Sequence, residues 1–63
     1  MKVLVTGVYG FLGLNVANAL VENFVVDGLY NLNTRPGLNK QVKAYNNPST
    51  LLEHPDIIVM CHA

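Results

Sequence analysis

Apolar positions follow two different periods along the chain. Residues 3–5 form a short apolar run, which is typical of a strand buried in a parallel sheet. From residue 11 the spacing becomes helical, and one face of that helix carries Leu12, Val16, Ala19 and Leu20. The pattern predicts a first strand over 2–6 and an amphipathic helix over 11–23.

The second half of the sequence predicts three more strands. Apolar runs indicate a second strand from residue 24 towards Tyr30, a short third strand over 42–45 and a fourth strand over 56–61. The segment 31–41 contains three asparagines together with Arg35-Pro36-Gly37, a composition that predicts a loop. Asn47-Pro48 is typical of a helix N-cap followed by proline at the first helical position, so we expect a helix of barely two turns there.

This order of elements predicts an α/β fold. A strand, a glycine-containing turn, a helix and a strand make a right-handed βαβ unit, and two further strands extend it to a Rossmann-like half-domain. We expect a parallel sheet of about four strands in the order 3-2-1-4, with one main helix. Because one helix covers one face, we expect Leu4, Val26, Ile58 and Met60 to be partly bare and the fourth strand to be an open hydrophobic edge.

Composition narrows the classes of function. The chain has 63 residues, of which 51% are hydrophobic, and its formal net charge is zero. Its four cationic residues are dispersed, which argues against binding to nucleic acid or to an anionic membrane. No apolar run approaches the roughly 18 residues of a membrane span. Cys61 is the single cysteine, so no intramolecular disulfide forms, as expected in the reducing cytoplasm.

The segment Thr6-Gly7-Val8-Tyr9-Gly10-Phe11-Leu12-Gly13 carries the candidate chemistry. Its glycines recur every three residues where the first strand turns into the helix. At such a turn, free N–H groups and the positive end of the helix dipole face outward and suit a phosphate group. The pattern is a close relative of the dinucleotide-binding motif G-x-G-x-x-G.

Three stretches together resemble a known family. Lys2-Val3-Leu4-Val5-Thr6-Gly7, Gly10-Phe11-Leu12-Gly13 and Pro55-Asp56-Ile57-Ile58-Val59 are similar to the N-terminal half-domain of extended short-chain dehydrogenases/reductases. These are NAD(P)-dependent epimerases, dehydratases and reductases that act mostly on nucleotide sugars. The resemblance implies that residues 1–63 are a partial NAD(P)-binding Rossmann domain, truncated from a parent that is a homodimer.

The resemblance also implies roles for individual residues. Gly7, Gly10 and Gly13 would form the turn under the pyrophosphate of NAD or NADP, and Phe11 and Leu12 would supply backbone at the opening of the helix. Ala63, at the end of the loop after the fourth strand, would lie beside the ribose on the nicotinamide side.

Several positions depart from the family pattern. Tyr30 stands where the family commonly has an acid that binds the adenosine ribose, and Asp27, the nearest acid, lies three residues too early. Arg35 either neutralises a 2′-phosphate, which would favour NADP, or is a solvated loop residue. Val8 and Tyr9 replace small residues, so we expect the loop to approach phosphate less closely.

The family's catalytic pair is not found. None of the three tyrosines is followed four residues later by lysine, so the sequence offers no catalytic Tyr-x-x-x-Lys. His54, His62 and Cys61 have poor spacing for shared metal ligation, and we predict no metal site.

Two classes of function therefore stay open. The first is the cofactor-binding portion of a nucleotide-sugar epimerase, dehydratase or sugar ketoreductase, whose substrate would need the missing C-terminal part. The second is a non-catalytic βαβ nucleotide-binding module, or a degenerate short reading frame without activity.

Overall fold

The computed structural model describes residues 1–47 and 54–61. These residues form four strands and one helix, in the order β1 (Lys2–Thr6), α1 (Phe11–Leu20), β2 (Val25–Leu29), β3 (Lys43–Tyr45) and β4 (Ile57–Met60). The first strand has the predicted bounds. The other three strands are each shorter than predicted by one residue at one or both ends.

The four strands form one parallel sheet in the order β3-β2-β1-β4. This confirms the predicted α/β half-domain and its strand order. All the carboxyl ends of the strands lie at the same edge of the sheet, because every pairing is parallel. The turn that follows β1 therefore lies beside the segment that follows β2.

The helix ends three residues earlier than the predicted range 11–23. Val21 is the C-cap residue, and its N–H donates to the carbonyl oxygen of Ala17. The N–H groups of Asn23 and Phe24 both donate to the carbonyl oxygen of Leu20, at 3.0 and 2.9 Å, and close the turn into β2. Val21 is itself buried in the core, although it lies after the last helical residue.

The core lies between α1 and one face of the sheet. Its buried members are mostly valines: Val3, Val5, Val8, Ala17, Val21, Val26 and Val42. The buried face of α1 is centred on Gly13 and Ala17, with Val16 and Leu20 partly buried beside them. The predicted face was wrong in part, because Leu12 is 59% exposed and Ala19 is also exposed.

The prediction that four apolar sheet residues are partly exposed is confirmed on β4 but is wrong on β1 and β2. Ile58 and Met60 on β4 are 56% and 70% exposed, as predicted for an edge strand. Leu4 and Val26 are only 6% and 1% exposed, so the prediction was wrong for both. Val26 packs under α1, while Leu4 lies in a central strand with neighbours in register on either side, Asp27 and Ile58.

The predicted loop over 31–41 contains no helix or strand, and the side chain of Asn18 fastens it to α1. The side-chain amide of Asn18 donates to the carbonyl oxygen of Gly37 at 2.8 Å, and its oxygen accepts from the N–H of Asn39 at 2.7 Å. Leu38 between them packs against the core. The loop therefore has a defined path from β2 to β3. The short helix predicted from Asn47-Pro48 lies outside the described residues.

Candidate functional site

The turn between β1 and α1 contains three glycines, and each meets a different structural requirement. Gly7 has a φ of 64°, a left-handed conformation that L side chains rarely adopt. A Cβ atom on Gly13 would overlap the backbone carbonyl of Gly7, so the helix and the turn are in direct backbone contact. The turn needs glycine at both positions for its own geometry.

Gly10 differs from both because its backbone conformation is an ordinary one. It is the N-cap of α1, with φ −74° and ψ 166°, and its N–H donates to the carbonyl oxygen of Gly7 at 2.9 Å. A Cβ there would lie 3.2 Å from that oxygen, which is tight but not an overlap. The exposed surface above Gly10 is consequently bare backbone at the start of a helix.

Electrostatics at the start of α1 suit an anion. The first N–H groups of a helix lack partners within the helix, and the helix dipole places partial positive charge there. The first turn of α1 contains no acidic residue, so no carboxylate offsets this charge. Phe11 and Leu12, whose backbone the resemblance places there, are the first two residues of the helix, and their side chains are exposed.

An open cleft of about 350 Å³ lies at this end of the sheet. Residues from the glycine turn and from the segment after β2 line it: Gly7, Tyr9, Gly10, Tyr30, Asn31, Leu32 and Asn33. The structure thus brings Gly7 and Gly10 together with Tyr30. None of the lining side chains carries a charge at neutral pH.

Two tyrosines form one wall of the cleft. The rings of Tyr9 and Tyr30 are 5.0 Å apart between centroids and meet edge to face at 81°. Such T-shaped contacts are favourable because the positive edge of one ring meets the negative face of the other. Tyr30 is held in addition by its backbone N–H, which donates to the carbonyl oxygen of Tyr45 at 2.9 Å.

Val8 and Asp27, which depart from the family pattern, both lie away from the cleft. Val8 has no exposed surface and points into the core, so it does not fill space above the turn. Asp27 is 5% exposed, and its Oδ2 lies 3.5 Å from the Nζ of Lys2. Because side chains alternate along β2, Asp27 lies on the sheet face opposite Val26 and α1. Asp27 therefore balances a lysine within the sheet and does not face the cleft.

The remaining candidate residues are not gathered at the cleft. Arg35 is exposed in the loop and is not among the cleft residues. Ala63 lies outside the described residues. Cys61, two residues earlier, is half-buried, and its N–H donates to the carbonyl oxygen of Thr6 at 3.2 Å, so the segment after β4 leaves the sheet next to the glycine turn.

Sequence reasoning missed most of the cleft lining. Tyr9 was considered only as a bulky departure, and Asn31, Leu32 and Asn33 only as loop residues. The signal that finds them is topological, because neighbouring parallel strands end at the same edge, where ligands of open α/β sheets bind.

In the described part of the chain, no three His, Cys, Asp or Glu side chains are grouped so that they would hold a metal ion. No helix described by the structure has the length and apolar character needed to cross a membrane. No family model, curated protein or solved structure matches this chain.

Proposed function

We propose that this chain binds NAD or NADP, with the pyrophosphate at the glycine turn. In this proposal it is the cofactor-binding N-terminal portion of an NAD(P)-dependent nucleotide-sugar epimerase/dehydratase or sugar ketoreductase. The observation that carries the proposal is the cleft in which Gly7 and Gly10, at the start of α1, meet the residues that follow β2.

The pyrophosphate subsite follows from charge and space. Two negative phosphates gain from the N-terminal N–H groups of α1, and no acidic side chain in the first turn opposes them. Gly10 offers bare backbone at the cleft surface, so a phosphate oxygen can approach the N–H groups closely.

The uncharged, partly aromatic lining of the cleft supports an adenosine subsite there. Aromatic faces stack on nucleobases, a contact worth about 1–3 kcal/mol per base when tested by alanine substitution. Tyr9 and Tyr30 present such rings, and Asn31 and Asn33 add amide donors and acceptors of the kind that pair with adenine. The cleft volume lies within the range of about 300–1,000 Å³ typical of small-molecule sites.

We extend the proposal to the reaction and its substrate. A nucleotide sugar would be bound and converted only with residues that follow this chain, because the sequence contains no Tyr-x-x-x-Lys. We place the protein in the cytoplasm, since its single cysteine suits a reducing compartment. In the second class of function, the same cleft serves a non-catalytic nucleotide-binding module.

Calorimetric titration of the 63-residue chain with NADH and NADPH tests the proposal. Gly10→Val adds a branched side chain at the phosphate approach while its backbone conformation stays allowed, so we expect binding to be lost. Ala19→Val is the matched control, because it adds a branched side chain at an exposed position of the same helix. If Gly10→Val and the unmodified chain bind the dinucleotides with equal affinity, the pyrophosphate does not bind at this turn.

A further inference from the structure

The loop between β2 and β3 begins at the cleft and then crosses to the side of α1. Residues 31–37 are exposed, and residues 31–33 line the cleft. Just before them, the N–H of Tyr30 donates to the carbonyl oxygen of Tyr45 at 2.9 Å, and the Tyr30 ring contacts the ring of Tyr9. The cleft residues of the loop therefore follow directly on an anchored residue.

Asn18 on α1 supplies a second anchor for this loop. Its side-chain nitrogen donates to the carbonyl oxygen of Gly37 at 2.8 Å, and its Oδ1 accepts from the N–H of Asn39 at 2.7 Å. Leu14 lies one turn earlier on the same side of α1, and its methyl carbons are 3.8 and 3.9 Å from the place where a Cβ atom on Gly37 would lie. Residues 31–36 thus connect two anchored points.

The carboxamide of Asn18 matches both of its partners. A primary carboxamide donates and accepts at the same time. Aspartate at this position would still accept from the N–H of Asn39, but it would set an oxygen against the carbonyl oxygen of Gly37. Leucine, which has a similar shape, would make neither bond. Gly37 has a φ of 109°, which L side chains rarely adopt, so the other side of this anchor depends on glycine.

We propose that Asn18 is a positioning residue for the adenosine side of the cleft, because it fastens the loop that carries residues 31–33. This inference rests on the proposed dinucleotide binding. Without the two bonds, the free segment would extend from residues 31–36 to residues 31–41, up to Val42 in the core. Its length would nearly double, and each doubling makes closure of a flexible loop about threefold less favourable. The contact of Leu38 with the core remains, but an apolar contact does not direct the backbone beside it.

The helix α1 then serves the two parts of the ligand by separate routes. Its first N–H groups act on the pyrophosphate directly, whereas Asn18, about two turns later, acts on the adenosine through the loop. Loss of the Asn18 bonds should therefore weaken a ligand that contains adenosine and leave bare pyrophosphate unaffected. A general loss of folding would weaken both ligands.

Calorimetric titration of the full chain with NADH and with inorganic pyrophosphate tests the positioning role. Asn18→Leu should lower the affinity for NADH about threefold and leave the affinity for pyrophosphate unchanged. Asn15→Leu is the matched control, because the amide of Asn15 donates within α1, to the carbonyl oxygen of Phe11 at 2.8 Å. Both affinities of this control should equal those of the unmodified chain.

Gly37→Ala tests the same anchor from the side of the loop, without a change in α1. The new Cβ would meet Leu14 at an ordinary contact distance, but the φ of 109° is strained for alanine, so we expect weaker binding of NADH and unchanged binding of pyrophosphate. If both variants lose equal affinity for the two ligands, or if neither variant loses affinity for NADH, the positioning role is overturned while dinucleotide binding stands. An unmodified chain that binds neither ligand would overturn the proposed function, and the role of Asn18 with it.

Discussion

The side chain of Val8 occupies the space that a Cβ atom on Gly28 would need. Such a Cβ would lie 2.6 Å from Val8 Cγ2 and 2.7 Å from Cγ1. Val8 is completely buried, and its N–H donates to the carbonyl oxygen of Leu29 at 3.2 Å, so it cannot move aside without leaving β2. The turn that carries the candidate site is therefore locked to the middle of β2 by shape.

This contact predicts a strong coupling between the two positions. Gly28→Ala should lower the free energy of unfolding by about 1–3 kcal/mol, the usual cost of overpacking a core. In the double variant Val8→Ala/Gly28→Ala, the smaller partner makes room, so the loss should be clearly less than the sum of the two single losses. Urea denaturation of the four proteins measures the coupling, and strictly additive losses would show that the two side chains do not share this space.

Gly13→Ala should be more damaging than an ordinary helix substitution. The new Cβ meets the backbone carbonyl of Gly7, which cannot rotate away as a side chain would. Alanine normally stabilises a helix relative to glycine by about 1 kcal/mol, so a loss of stability here would reverse the usual sign. Ala19→Gly on the exposed face provides the comparison, with an expected loss of about 1 kcal/mol. A Gly13→Ala chain that melts at a higher temperature than the unmodified one would contradict the close contact of turn and helix.

The ion pair between Lys2 and Asp27 predicts a second stability effect. Lys2→Met leaves the Asp27 carboxylate, whose side chain is 7% exposed, without that cation. We expect a loss of about 2 kcal/mol, below the range for fully buried pairs, because the Lys2 side chain is 21% exposed. Lys40→Met, at an exposed loop position, is the control and should change little. Equal stability of both variants would show that Asp27 is adequately solvated without Lys2.

Under the proposed dinucleotide binding, the absence of charge on the cleft wall predicts poor discrimination between NAD and NADP. Because Tyr30 stands where the short-chain dehydrogenases/reductases that the sequence resembles have an acid, no lining side chain of the cleft repels a 2′-phosphate. The affinities for NADH and NADPH should therefore lie within about tenfold, or 1.4 kcal/mol. Tyr30→Asp should shift the ratio towards NADH, because a carboxylate accepts hydrogen bonds from the ribose hydroxyls and repels the phosphate.

Thr34→Asp is the matched control for that shift. It adds the same charge to the same exposed segment outside the cleft residues, so the ratio should stay near that of the unmodified chain. A hundredfold preference of the unmodified chain for NADH would mean that another acid serves the ribose.

The parts of the fold that could be predicted from the sequence are those where the local residue pattern and the rules of sheet topology agree. The run at 3–5 and the glycine turn located β1 and the start of α1, and the β3-β2-β1-β4 order followed from the usual connections of parallel strands. The end of α1 was missed because no glycine or proline marks it in the sequence, and the turn is closed instead by backbone bonds from Asn23 and Phe24 to the carbonyl oxygen of Leu20. Burial of Leu4 was missed because it depends on cross-strand neighbours, Asp27 and Ile58, that are far apart in sequence.

The candidate site was accessible in part for the same reason. Gly7 and Gly10 form a local motif that can be read directly from spacing. The edge-to-face contact of Tyr9 with Tyr30 joins residues 21 positions apart, and only the β1–β2 register brings them together. Whether Asp27 faced the cleft or the sheet likewise depended on which face of β2 packs under α1.

Amide chemical-shift mapping of the isotope-labelled chain during titration with NADH tests the central claim most directly. We expect the largest chemical-shift changes at the N–H groups of Gly7, Gly10, Phe11 and Leu12, with smaller ones at Asn31 and Asn33. The chemical shifts of the β4 amides, on the far side of β1, should not change and serve as the internal control. An absence of shifts at millimolar NADH, or shifts that cluster away from the glycine turn, would contradict dinucleotide binding at this site.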